Sequence, residues 1–304
     1  MKKIYISGCG GMLGEAFYFQ FKDDYCLKCT DINVNEKWLS YCDIKDLKEY
    51  FSQVIDFNPD YLFHLGALTD LEYCELNRLE AIITNQWATS YATFIADELN
   101  IPLLYISTAG IFDGKKDAYD EKDKPNPKGI YAKTKYESEV IVLKDIKKHL
   151  ICRASWMMGG GPEKDKSFIH LILKQIKTGK KILQIVNDKR GTISYTHDFA
   201  KNVKLLIERN YTGLFNIANL GNTNRLEIAR EIVSILGLEK EIKIFGVSSD
   251  YFKDNYHAPR PDCECLINKR LNNLGLNIMR SWKIVLKEYL ENYYSNLFKS
   301  YMGK

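Results

Sequence analysis

Residues 3–14 read KIYISGCGGMLG. Five residues of strand character, Lys3–Ser7, run straight into Gly8, Gly11 and Gly14, and a helical stretch, Glu15–Phe21, follows at once. Glycines at this spacing suit a backbone that turns tightly and must approach a pyrophosphate closely. The exposed N–H groups at the helix start, backed by the helix dipole, attract that anion. The strand–turn–helix setting lifts the motif above a chance run of glycines.

Working outward, Tyr25–Thr30 reads as a second strand ending at Asp31, 17 residues after Gly14. An acid about 20 residues past the turn is placed to accept the adenosine ribose hydroxyls. A carboxylate there favours NAD(H) over NADP(H), because a 2′-phosphate would meet like charge. Helical spacing at Asp46–Val54, Leu79–Leu99 and Tyr131–Leu143 alternates with strands at Tyr61–Leu65, Leu103–Ser107 and Leu150–Arg153. This alternation predicts an α/β fold: a Rossmann-type, doubly wound parallel sheet with right-handed crossovers, covered on both faces. The polar stretch 112–129, with Pro125 and Pro127, is expected to be a surface loop. Beyond Ser155 the pattern changes at Gly159-Gly160-Gly161-Pro162, and helical segments follow at Ser167–Thr178, His197–Glu208, Leu226–Leu236 and Ser281–Tyr293. The division expected is a dinucleotide-binding domain over 1–155, completed by about 180–215, and a smaller substrate-binding lobe mostly within 156–304.

Composition narrows the function classes. In 304 residues, 45% apolar and 27% charged content fit a folded soluble protein and argue against disorder. A net charge of +4 is too small and scattered for a nucleic-acid partner. Apolar runs such as Tyr61–Leu68 fall well short of the ~20 residues a membrane span needs. Met1-Lys2-Lys3 is followed by only three apolar residues before the glycines, so no secretory leader is expected and the location expected is cytoplasmic. Eight cysteines without a leader read as reduced thiols. In a strand, Cys26 and Cys29 would face opposite sides, and Cys263-x-Cys265 lacks a second ligand pair, so no metal site is expected.

Tyr131-Ala-Lys-Thr-Lys135 places a phenol and an ammonium four apart at a helix start, on one face. A free phenol titrates near ~10, and a neighbouring ammonium would lower that toward the working range. Such a tyrosine can hand a proton to a carbonyl oxygen as hydride reaches carbon. Ser107-Thr108, at the end of the preceding strand, could hold that carbonyl with a hydroxyl.

At these residues the chain resembles the extended short-chain dehydrogenase/reductases, and more narrowly the dTDP-4-dehydrorhamnose reductase branch. The pieces that carry the likeness are GCGGMLG at 8–14, CDI at 42–44, HLGALTDLEYCE at 64–75, and Asn85. ISTAGIFDG at 106–114, YAKTK at 131–135, RASWMMGGG at 153–161, GTISYTHDFA at 191–200 and APRP at 258–261 complete it. Their order and spacing, over nearly the whole chain, make the signal. The resemblance implies a catalytic trio of Thr108, Tyr131 and Lys135. It implies cofactor contacts from Gly8, Gly10, Gly11, Met12, Leu13 and Gly14 at the pyrophosphate, and from Asp31 at the ribose. Asp43 and Ile44 would flank the adenine. Leu65, Gly66 and Ala67, with Asn85, would line the nicotinamide side, beside Tyr131 and Lys135. Thr69, Thr108, Trp156 and Arg260 would meet the substrate.

The chain departs from the branch in places. Ala109-Gly110 stands where an acidic and an aromatic residue are usual, and Leu68 replaces a usual tyrosine. Thr192-Ile193-Ser194 lacks the usual proline. The resulting expectation is an NAD(P)H-dependent reductase of a nucleotide-linked 4-keto-6-deoxy sugar, with a homodimer as a possible assembly. Two rivals stand beside it. One is an NAD-retaining epimerase or dehydratase, against which the lack of a carboxylate next to Thr108 counts. The other is a non-catalytic nucleotide-binding regulatory subunit.

Overall fold

The structure, a computed structural model, describes residues 1–295; the last residues of the lobe expected over 156–304 lie outside them. Its main sheet contains β1 (Lys3–Ser7), β2 (Cys26–Asp31), β3 (Leu39–Tyr41), β4 (Tyr61–His64), β5 (Leu103–Thr108) and β6 (His149–Ala154). A seventh strand, Gly213–Asn216, pairs with β6. Every neighbouring pair is parallel, and from one edge the order is Gly213–Asn216, β6, β5, β4, β1, β2, β3. The winding reverses between β1 and β4, so a crevice opens beyond their carboxyl ends.

Strand alternation divides the core in two. Ile4, Ile6, Phe63, Leu104 and Cys152 face helices Met12–Phe21 and Thr196–Glu208, where Phe17, Phe21, Phe199 and Leu206 meet them. Tyr5, Leu62, Tyr105 and Ile151 face the other way, onto helices Leu47–Phe57, Ala88–Glu98 and Ile130–Asp145 through Tyr50, Val54, Ala92, Ile95 and Val142. Full burial of each such large side chain is worth roughly 1.5–3 kcal/mol. A separate apolar cluster forms from helices Phe168–Lys177, Arg225–Ile235 and Trp282–Tyr293 around the parallel strands Ile182–Val186 and Lys243–Val247.

Two expectations need correction. The helix expected over 79–99 is interrupted at Ile82–Trp87 by a wider π-helical turn. The stretch 112–129 is not simply a surface loop: Phe112 and Tyr119 are buried and stacked 4.1 Å apart. Tyr119 also exchanges backbone hydrogen bonds with Cys265 and Ile267, so contacts distant in sequence hold the segment inward. Among the described residues no helix is long and apolar enough to cross a membrane.

Candidate active site

The glycine turn sits where β1 meets the crevice. Gly8 has φ +72°, and a Cβ there would collide with the backbone of Gly66 in the loop after β4. Only glycine satisfies both constraints. A Cβ on Gly14 would run into the Cys9 carbonyl, so this glycine lets helix Met12–Phe21 pack against the turn. Gly11, the residue capping that helix, would meet nothing within 4 Å. Packing therefore leaves open space in front of the helix N-terminus, and that space fits a pyrophosphate, whose approach a side chain would block. Met12 and Leu13 form the first helical residues behind it.

Asp31 ends β2, and its carboxylate accepts from Gly10 N–H at 2.9 Å and Asn33 N–H at 2.8 Å. It thus ties the turn to the strand end. The Asp43 carboxylate accepts from Lys45 N–H at 2.9 Å, and buried Ile44 packs its Cδ1 against Gly66. Leu65, Gly66 and Ala67 follow β4 directly, with Leu65 N–H donating to Ser7 C=O at 3.0 Å. Asn85 has its side chain fully engaged. It accepts from Leu68 N–H at 2.7 Å and donates to Leu68 C=O and Thr134 Oγ1, both at 3.0 Å. Asn85 therefore positions the loop after β4 rather than offering a free amide. The π-helical turn carries it, and hydroxyls of Thr89 and Ser138 donate to its carbonyl.

Behind this loop His64 is buried, with Nδ1 3.1 Å from Ser7 Oγ and 3.2 Å from the Tyr50 hydroxyl, and Nε2 unpartnered. Burial, with the Lys135 charge nearby, pushes its pKa down to about 3, so it stays neutral.

Thr108 ends β5, while Tyr131 and Lys135 lie in the first turns of helix Ile130–Asp145. Gly110 N–H donates to Thr108 Oγ1 at 3.1 Å, and the Thr108 hydroxyl bears on the Tyr131 phenol. The expected acidification of the tyrosine is not what the structure shows. Burial pushes the Tyr131 phenol above its ordinary value, and the opposing influence comes from the Thr108 hydroxyl. Lys135 places its ammonium over the Tyr105 ring, 4.2 Å from the centroid, and burial lowers its pKa to about 7. Desolvation outweighs pairing for both groups.

The second wall comes from the far end of the chain. Trp156 Nε1 donates to Glu264 Oε2 at 2.7 Å, and Ser155 Oγ donates to the Glu264 carbonyl at 2.8 Å. Burial raises the Glu264 carboxyl, while Trp156, Arg225 and Arg260 pull it back. The other carboxylate oxygen, Oε1, lies 3.4 Å from where a Cβ of Gly110 would be. This corrects the expectation that no carboxylate stands beside Thr108. Arg260 is committed to Glu72 at 2.6 Å and to the Ala258 carbonyl at 2.9 Å. Arg225, which the sequence did not single out, lies over the Trp156 and Phe168 rings at 5.7 and 5.4 Å. Thr69 is exposed in the loop after β4. Glu264 was also missed; a signal existed in the alternation of Cys263-Glu264-Cys265. Both cysteines are buried, which sends the glutamate to the opposite side of a strand. Among the described residues no group of three or more His, Cys, Asp or Glu is placed to hold a metal ion.

Comparison with known proteins gives consistent matches. Residues 1–295 match the protein family described as "RmlD substrate binding domain". The spore coat polysaccharide biosynthesis protein SpsK of Bacillus subtilis is 28% identical over 292 residues, 96% of this chain and 98% of its own length. A crystal structure of dTDP-4-dehydrorhamnose reductase from Yersinia enterocolitica is 32% identical with a TM-score of 0.87, covering 96% of this chain and 100% of that one. The corresponding structure from Bacillus anthracis, in complex with NADP, is 24% identical with a TM-score of 0.86 over 97% and 99%.

Proposed function

Because the chain belongs to the RmlD substrate binding domain family, among NAD(P)-dependent sugar-nucleotide oxidoreductases, we propose that it reduces the 4-keto group of a nucleotide-linked 6-deoxy sugar. The observation that supports this reading is Thr108 at the end of β5 bearing on the Tyr131 phenol, with Lys135 one turn further along the helix that carries Tyr131. Gly8, Gly10, Gly11, Met12, Leu13 and Gly14 would hold the cofactor pyrophosphate, Asp31 the adenosine ribose, and Asp43 and Ile44 the adenine. Leu65, Gly66 and Ala67 would border the nicotinamide, and Lys135 its ribose. The reduced nicotinamide, when bound, supplies the hydride that C4 receives.

The chain's own residues do the rest. The Thr108 hydroxyl donates a hydrogen bond to the ketone oxygen and orients it, keeping its own proton. As C4 gains the hydride, the carbonyl π pair moves to oxygen, and Tyr131 gives that oxygen its phenolic proton. Burial raises the pKa of Tyr131 and so keeps the phenol protonated at neutral pH, the state from which it can give its proton. Lys135 then stabilises the phenolate until solvent reprotonates it. Trp156 would pack against the sugar. Arg225, whose guanidinium makes no hydrogen bond within the described chain, is better placed than the committed Arg260 to receive the diphosphate.

Asp31 favours NADH as the reductant, whereas the Bacillus anthracis relative was solved with NADP. The free thiols, all buried but that of Cys26, support a cytoplasmic location. Outward-facing Phe94, Val140 and Leu143 support pairing of two copies through helices Ala88–Glu98 and Ile130–Asp145. The test is a screen of dTDP-, GDP-, CDP- and UDP-linked 4-keto-6-deoxy sugars, following NADH and NADPH absorbance. Stoichiometric oxidation of added reductant with one of them is expected. Turnover on tightly retained NAD without added reductant, or no turnover at all, contradicts the assignment.

A further inference from the structure

Position 110 is a glycine at the mouth of the site, and its missing side chain leaves a gap beside Thr108. The gap is entered from the opposite wall. Strand Cys263–Glu264 pairs with Arg190–Gly191, and its two flanking cysteines are fully buried. Period-two alternation therefore turns the Glu264 side chain toward the crevice. There Oε2 is held by Trp156 Nε1 at 2.7 Å, and the backbone carbonyl of Glu264 is held by Ser155 Oγ at 2.8 Å. These bonds fix the carboxylate without using Oε1, which accepts no hydrogen bond within the described chain and points at the space over Gly110. A side chain at 110 would begin 3.4 Å from that oxygen and grow into it. Glu264 also bears electrostatically on Tyr131.

An anchored carboxylate with one free oxygen is an acceptor waiting for a donor. The donors a nucleotide sugar offers beside its ketone are the ring hydroxyls. We propose that Glu264 is a substrate-contacting, specificity-determining residue: its Oε1 fills the space left by Gly110 and accepts a hydrogen bond from a sugar hydroxyl next to the reacting carbon. The proposal rests on the reading that a nucleotide sugar occupies this crevice. It implies that the sugar preference is set by the lobe, through a residue more than a hundred positions from the catalytic tyrosine, and not by the residues after Thr108.

The experiment is calorimetric titration of the full chain, loaded with its preferred reduced cofactor, with dTDP-, GDP-, CDP- and UDP-linked 6-deoxy sugars, and separately with each free nucleoside diphosphate. Glu264→Ala removes the acceptor. Glu264→Gln preserves an oxygen for Trp156 and guards against a loss of fold. The tightest-binding sugar nucleotide is expected to weaken about ten- to a hundredfold in Glu264→Ala and less in Glu264→Gln, with affinity for the free diphosphate within about twofold of wild type. A 3-deoxy form of that sugar should lose the same factor with wild type and show no further loss with Glu264→Ala. Equal weakening of sugar nucleotide and free diphosphate, or no weakening, overturns the role of Glu264 while leaving the reductase reading intact. Failure of the wild-type chain to bind any sugar nucleotide overturns both.

Discussion

The glycine turn at 8–14 and the segment 257–266 line the crevice from opposite ends of the chain, and the reach of the contacts that hold them differs. The turn is fixed by the adjoining strand ends of its own sheet: Gly8 against Gly66 after β4, Gly10 against Asp31 at the end of β2, and Gly14 against Cys9 within the turn. The far segment is fixed by partners scattered along the chain. Glu72 accepts from His257 N–H at 2.6 Å and Ala258 N–H at 2.9 Å and pairs with Arg260; Ser155 and Trp156 hold Glu264. A crevice with one wall built within the main sheet and the other by longer-range contacts can vary the second wall without disturbing the first.

Substitutions that strain each side should expose the difference. The largest effect is expected at Gly8. An alanine there must tolerate φ +72° and a backbone collision with Gly66, at a cost of about 3 kcal/mol or more in urea unfolding. A midpoint close to wild type would mean that the two loops are not in contact.

Lys135→Met should come next, with a distinctive pH dependence. The unfolded chain binds a proton at Lys135 as pH falls through about 10.5, whereas the folded chain does so only near 7. The wild type therefore loses stability progressively across that window, and the loss is complete below it. Removing the amine should raise stability by on the order of a few kcal/mol at pH 6 and by little near pH 11. A gain independent of pH would contradict the buried, depressed ammonium.

Glu72→Ala, on the tertiary side, should cost about 1–2 kcal/mol, because its three partners are partly solvent-screened. Limited proteolysis should then cut within 257–262 faster than in wild type; unchanged cutting would show that Glu72 does not hold the segment. The smallest effect on stability belongs to Gly11→Ala, under ~0.5 kcal/mol, since a Cβ there meets nothing. Yet the same methyl should weaken nicotinamide dinucleotide binding at least about tenfold by standing where the pyrophosphate approaches. Unchanged affinity would leave the motif as a turn and nothing more.

The same contrast explains what the sequence made legible. Strand and helix periodicity, the glycine turn, Asp31 at the end of β2 and the Tyr131/Lys135 spacing are short-range patterns, and the structure places each in the element read for it. Three features depended on distant partners. Phe112 and Tyr119 looked like loop residues because the segment that buries them lies near residue 265. Asn85 reads from sequence as a cofactor contact, while its side chain spends both amide N–H groups on Leu68 and Thr134, which the sequence does not encode. The raised Tyr131 and lowered Lys135 follow from burial, which four-residue spacing does not encode.

The central claim is that the phenol of residue 131 supplies the proton for ketone reduction, and Tyr131→Phe tests it most directly. With the sugar nucleotide identified by the screen, turnover should fall about 10²- to 10⁴-fold while affinities for cofactor and sugar nucleotide stay near wild type. Turnover close to wild type, with binding intact, would mean that another group delivers the proton.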